Sequence, residues 1–93
     1  MIFTVLISEK AQKQLKKVPQ QVSDKLQTWV RAVKKEGLEN IRKILGYHDE
    51  PLKGRRKEQR SIRLNKAYRA IYEIKVHSTI EFVSIEEVTK HEY

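Results

Sequence analysis

Apolar residues in the first half of the chain predict one strand followed by two helices. Residues 2–7 are rich in β-branched and aromatic side chains, as is typical of a strand. Ser8 is the predicted N-cap of a first helix, whose apolar positions before Pro19 are Ala11, Leu15 and Val18. A second helical stripe, which ends at the predicted C-cap Gly37, consists of Val22, Leu26, Trp29, Val30 and Val33. Residues 38–45 predict one further helical turn.

The second half of the chain predicts a loop and then three strands. Residues 46–58 are polar and contain Pro51 and Gly54, so we expect a loop. The strand-like runs are 60–64, 68–76 and 80–88, separated by short polar turns. The order β-α-α-β-β-β predicts a single α+β domain over residues 1–93. In this domain a two-helix hairpin packs on one face of a mostly antiparallel four-stranded sheet.

The predicted turn at 65–67 brings two arginines opposite each other. A three-residue loop pairs Arg63 with Arg69 and, on the other face, Ile62 with Ala70. Like charges in direct opposition are destabilising unless an anion or a carboxylate lies between them. Two interpretations follow: Glu73 neutralises the pair, or the pair binds a phosphate on the open face of the sheet.

Trp29, Tyr68 and Tyr72 are predicted to be core residues, and His48 and His77 to be surface turn residues with no assigned role.

The charge of the chain favours the interpretation in which Arg63 and Arg69 bind a phosphate. The chain has a net charge of +8 and a sequence pI of about 9.8. Residues 53–69 contain eight basic residues and one acidic residue, which gives +7 for that segment. Such a concentration favours a polyanionic partner, either nucleic acid or an acidic protein. The predicted RNA-contacting residues are Lys53, Arg55, Arg56, Arg60, Arg63 and Lys66.

Composition excludes several other classes of protein. The chain has no cysteine, and its three histidines lack the spacing of a metal site, so we predict neither a metal nor a cofactor. No apolar run approaches the roughly 18 residues that a membrane span requires. Residues 2–7 are too few for a signal peptide. We therefore expect a cytoplasmic protein without a membrane partner.

Three motifs resemble those of the RelE/ParE superfamily, and most closely its YoeB-like and HigB-like toxins. They are PLKG at 51–54, preceded by Glu50, SIR at 61–63 and YRAIY at 68–72. Their order and spacing match, as do the predicted elements, so the resemblance covers essentially the whole chain. It implies a toxin of a type II toxin–antitoxin system that cuts mRNA on the ribosome and so inhibits translation. The implied partners are an antitoxin, the ribosome with its rRNA, and mRNA; a homodimer and a toxin–antitoxin hetero-oligomer both remain open.

The resemblance also assigns roles to four residues. Glu50 matches the general base, and Arg69 matches the arginine that holds the scissile phosphate. His91 and Tyr93 lie where the relatives have an adjacent histidine and tyrosine, although Glu92 separates the two here.

The chemistry agrees with these assignments. Cleavage of RNA by its own 2′-OH needs a base, an acid and positive charge on the phosphate, which a carboxylate, a histidine and an arginine can supply. The alternative is a ParE-like poison of DNA gyrase, which shares the fold and has no catalytic site. A third hypothesis is an inactive remnant of such a toxin that only binds RNA or DNA. Glu50 and the histidine–tyrosine tail favour the nuclease, because a gyrase poison needs neither.

Overall fold

The structure, a computed structural model, describes residues 1–90 and contains three α-helices and five strands in that range. The elements are β1 Val5–Ile7, α1 Glu9–Leu15, α2 Gln20–Glu36, α3 Leu38–Ile41, β2 Glu50–Pro51, β3 Gln59–Arg63, β4 Tyr68–His77 and β5 Ile80–Lys90. Single 3-10 turns lie at Leu45–Tyr47 and Gly54–Arg56. The predicted α+β class is confirmed. Within the described range, no helix has the length and apolarity to cross a membrane.

Both predicted helices form where their capping residues place them. The Ser8 hydroxyl accepts a hydrogen bond from the backbone N–H of Ala11 at 3.1 Å, which satisfies a free donor of the first turn of α1. Helix α2 ends at Gly37, whose N–H donates to the carbonyl of Val33 at 2.8 Å. Every member of the predicted α2 stripe is buried. The additional helical turn is also present, as α3.

The sheet has one more strand than the sequence predicted. Its order is β1-β5-β4-β3-β2, with β1 parallel to β5 and all other neighbours antiparallel. The extra strand is β2, in which Glu50 pairs with Ser61 and Pro51 with Arg60. Residues 46–58 are therefore not all loop. A strand that contains proline is accommodated here because β2 forms the edge of the sheet.

The hairpin between β3 and β4 has the predicted register. Arg63 pairs with Arg69, and Ile62 pairs with Ala70. The turn is fixed by Asn65, whose side-chain Oδ1 accepts hydrogen bonds from the N–H groups of Ala67 and Tyr68, each at 2.8 Å. This Asx-type geometry explains why a three-residue loop forms here.

The core lies between the helices and one face of the sheet. Its largest fully buried side chains are Trp29 from α2 and Tyr72 from β4, whose ring centroids are 5.3 Å apart. Their prediction as core residues is confirmed. Tyr68 is only partly buried, although it packs against the same cluster.

Gly37 is the glycine on which this fold depends most. Its φ of +89° lies in the region that favours glycine, and an added Cβ would lie 2.6 Å from Met1 Sδ. Met1 is an exposed, flexible side chain that can move, so the backbone conformation dominates the cost. We expect Gly37→Ala to lower the free energy of unfolding by about 1–3 kcal/mol in urea denaturation.

Gly46→Ala is the matched control for this prediction. No atom lies within 4 Å of the Cβ position at Gly46, and its φ is not positive. We expect a change of less than about 0.5 kcal/mol there. Equal losses for the two variants would contradict the role assigned to the Gly37 backbone.

Candidate active site

A cleft of about 150 Å³ opens where β2, β3 and the start of β4 meet the hairpin turn. Its strand residues Glu50, Ser61, Arg63 and Arg69 share the face of the sheet that points away from the core, because side chains alternate along each strand. The loops and the first position of β4 add the remaining lining residues, His48, Asn65, Lys66 and Tyr68.

The two opposed arginines have no carboxylate between them in the described range. Glu73 contacts Lys75 at 3.5 Å and Gln59 at 3.4 Å instead, so it does not neutralise the pair. Arg69 Nε is buried and has no hydrogen-bond partner among residues 1–90. A buried charged donor without a partner is costly, and an anion in the cleft would remove that cost. The cleft therefore has the electrostatics of a phosphate site.

Glu50 lies across the same cleft from Arg69. It is exposed, sits on β2 and pairs with Ser61, which in turn pairs with Ile71 two residues after Arg69. Sheet geometry places the Cα atoms of Glu50 and Arg69 roughly 12 Å apart. At that separation, a glutamate and an arginine side chain can both reach one ribose and its 3′-phosphate.

A buried carboxylate anchors the segment that carries Glu50. The Asp49 side chain is fully buried and accepts hydrogen bonds from Arg60 Nε and the Tyr72 hydroxyl, each at 2.6 Å. Burial, together with the hydrogen bond to Asp49, raises the pKa of Tyr72 well above its ordinary value. Burial disfavours the charged form of Arg60, but the contact with Asp49 outweighs this and raises the pKa of the guanidinium. We call these three side chains the Asp49 clamp.

His48 lines the cleft, although its sequence context predicted no role for it. It is exposed, as predicted for a turn, but it also lines the cleft beside Glu50. Its φ of +47° is uncommon for a residue with a side chain. A lone histidine in a polar loop gives little signal. Because its backbone is left-handed rather than extended, the alternation of side chains along a strand could not have placed it beside Glu50 either.

The predicted RNA-contacting residues do not all reach the cleft. Arg63 and Lys66 line it. Arg60 lies on the opposite face of β3, where it is held by Asp49, so the structure does not bring it to the site. Arg56 is bound to Glu87 at 3.1 Å and to Gln59 at 2.7 Å. Lys53 and Arg55 are exposed and lie outside the lining.

The contact of Arg56 also involves the first helix. Burial disfavours ionisation of Glu87, but hydrogen bonds from Lys10 and Arg56 outweigh it and lower the pKa of this carboxyl. The basic loop is thereby tied to the sheet and to α1.

The two remaining predicted site residues, His91 and Tyr93, lie outside the described residues. The last described pairs are Thr89 with Arg69 and Lys90 with Tyr68. Strand β5 therefore ends beside two cleft residues, on the side of β4 that faces away from β2.

Sequence comparison yields no relative: no protein-family model matches the chain, and no curated protein matches it either. Comparison with solved structures, in contrast, finds similar proteins. A YoeB/ParE toxin from Agrobacterium tumefaciens is 14% identical with a TM-score of 0.70, over 96% of this chain and 99% of that one.

Two further solved structures agree. The toxin–antitoxin complex RelBE2 from Mycobacterium tuberculosis contains a chain that is 22% identical, with a TM-score of 0.68 over 98% of this chain and 100% of that one. YafQ from E. coli is 17% identical with a TM-score of 0.70, over 94% and 91%. These identities are low, whereas the coverage is nearly complete. These structural matches, together with the strand order β1-β5-β4-β3-β2, show that this chain has the fold of the RelE/ParE superfamily toxins.

Proposed function

We propose that this protein is the toxin of a type II toxin–antitoxin system and that it cuts mRNA on the ribosome. The observation that carries the proposal is the pairing of Arg63 with Arg69, without a carboxylate between them in the described range, in a cleft that also contains Glu50. The fold is shared with proteins that are themselves described as toxins, two of them in toxin–antitoxin complexes. The fold alone does not select the reaction, so the residues of the cleft must do so.

The proposed reaction is transesterification at one phosphodiester of the mRNA. Glu50 takes the proton of the ribose 2′-OH, and the 2′-oxygen attacks the adjacent phosphorus. Arg69, with Arg63, stabilises the negative charge of the pentacoordinate phosphate. The bond to the 5′-oxygen breaks, that oxygen receives a proton, and the products are a 2′,3′-cyclic phosphate and a 5′-hydroxyl. This scheme requires two proton-transfer groups and a cation, which side chains alone can provide.

The course of β5 supports His91 as the acid. In an in-line displacement the base and the acid act on opposite sides of the phosphorus. Glu50 and His48 line the cleft on the β2 side of Arg69, whereas β5, the last described strand, runs on the other side of β4 and ends at Lys90. We therefore assign His91 as general acid, Tyr93 as an auxiliary group and His48 as a second proton-transfer group near Glu50.

Charge supports the proposed partners. The basic residues Lys53, Arg55 and Arg63 are exposed and suit contacts with rRNA or mRNA phosphates in the cytoplasm. The same charge would steer an acidic antitoxin segment onto the cleft, where it would cover Arg63 and Arg69.

Expression in cells that lack an antitoxin, followed by mapping of mRNA 5′ ends, tests the reaction. We expect codon-phased cuts from the wild-type protein. Intact mRNA accompanied by DNA damage would instead indicate a gyrase poison. Arg69→Ala should reduce cleavage by about 10²- to 10³-fold, because it removes the main cation at the phosphate.

Arg31→Ala is the matched control for Arg69→Ala. Arg31 is an exposed residue of α2, so its replacement removes the same charge away from the cleft. It should leave the cleavage rate unchanged. If both variants lose activity equally, net charge rather than phosphate binding explains the effect.

Glu50→Gln tests the general base. The substitution preserves size and removes the proton acceptor, so we expect the single-turnover rate on mRNA-programmed ribosomes to fall by about 10²- to 10⁴-fold. Glu58→Gln makes the same change at an exposed position outside the cleft and should have no effect. A Glu50→Gln protein that cuts at the wild-type rate would eliminate Glu50 as the base.

His91→Gln and a chain ending at Lys90 test the acid. We expect His91→Gln to slow cleavage by roughly 10²-fold or more and to remove one limb of the pH–rate profile, because glutamine cannot donate the proton. Tyr93→Phe should have a smaller effect. If the truncated chain is fully active, the general acid must be a residue within 1–90, and His48 is the first candidate to test.

A further inference from the structure

We infer that Asp49 is a positioning residue, and that its clamp with Arg60 and Tyr72 holds Glu50 and His48 at a set distance from Arg69. This inference rests on the proposed function, because it concerns the same cleft. Asp49 itself does not line the cleft, whereas both of its neighbours in sequence do. It can therefore act on the substrate only through the direction in which it holds those neighbours.

The segment that carries Glu50 has little other support. Strand β2 is two residues long and lies at the edge of the sheet, so it is paired on one side only. Glu50 and His48 are both exposed. Its other anchors are the bond from His48 N–H to the Leu45 carbonyl at 3.0 Å, the buried Tyr47, and the bond from Leu52 N–H to the Gln59 carbonyl at 2.9 Å. Short exposed edges of this kind open readily unless something fixes them.

The clamp connects this segment to the strand that carries Arg69. Asp49 immediately precedes β2, Arg60 is in β3 and Tyr72 is in β4, where Arg60 and Tyr72 are paired in register. Tyr72 lies three residues after Arg69 on the same strand. One carboxylate thus links both sides of the cleft through the face of the sheet opposite the substrate.

The conformation of His48 is consistent with this function. A residue with a side chain at a φ of +47° persists only where its surroundings hold it. Here both neighbours are fixed, Tyr47 by burial and Asp49 by the clamp. Stability alone is a weak explanation for the clamp, because a buried ion pair is often no more stabilising than apolar residues of the same volume.

Tyr72→Phe tests the inference with the smallest change. It removes the hydrogen bond to Asp49 Oδ2 and leaves the aromatic ring in place against Trp29. We expect kcat to fall roughly 10- to 100-fold while the Kd for ribosome-bound mRNA stays within about twofold, since misplaced groups slow chemistry more than binding. In the free protein, the NMR amide resonances of His48 and Glu50 should shift, and those of His77 at the far end of β4 should not.

Ile85→Val is the matched control. Ile85 is fully buried and pairs with Tyr72 across β4 and β5, so its substitution weakens the same region of the core but leaves both side-chain hydrogen bonds to Asp49 in place. It should leave kcat and the His48 and Glu50 resonances unchanged.

The inference is overturned if the two variants lose kcat equally at matched stability, or if the resonances of His48 and Glu50 do not move in Tyr72→Phe. If the wild-type protein cuts no mRNA, the proposed function fails. The resonances of the free protein then decide by themselves whether the clamp positions this segment.

Discussion

The antiparallel pairing of β4 with its two neighbours is the constraint from which the arrangement of the candidate site follows. Through β3 it places Arg69 opposite Arg63, and through β5 it places Arg69 opposite Thr89, near the end of β5. Because side chains alternate along a strand, the same pairing sends Ala70 and Tyr72 into the core. A slip of one residue would exchange these two sets. Burial of the apolar set therefore also fixes the arginines on the open face.

Charge on that open face is distributed unevenly. Farther along β4 and β5, carboxylates have cationic partners: Glu73 and Glu86 contact Lys75, and Glu87 contacts Lys10 and Arg56. At the hairpin end, Arg63 and Arg69 have no such carboxylate among the described residues, and Arg69 Nε is buried without a partner. A fold optimised only for stability would not leave this end uncompensated. The imbalance leaves the cleft with uncompensated positive charge, which favours an anion there.

The opposite face of the sheet contains a buried carboxylate next in sequence to two cleft residues. Asp49 is a charged residue with no side-chain exposure, and both of its carboxylate oxygens are used, by Arg60 and Tyr72. Arg60 belongs to the basic segment by sequence, yet its guanidinium is paired with the buried Asp49 carboxylate. The net charge of a segment therefore overstates how many cations it offers to a polyanion, since the fold determines which of them remain at the surface.

Much of this protein could be predicted from its sequence, because the signals are local. Ser8, Gly37 and the spacing of the apolar stripe determine the helices, and Asn65 with the alternating pattern around it determines the register that opposes Arg63 to Arg69. Glu50 and Arg69 followed from motif resemblance, and both lie in one cleft. The short strand β2, the position of His48 in the cleft and the contact of Arg60 with Asp49 could not be predicted. Asp49, which immediately precedes β2, has hydrogen-bond partners 11 and 23 residues away in sequence. Periodicity and composition are blind to such contacts, because only the packed sheet brings those residues together.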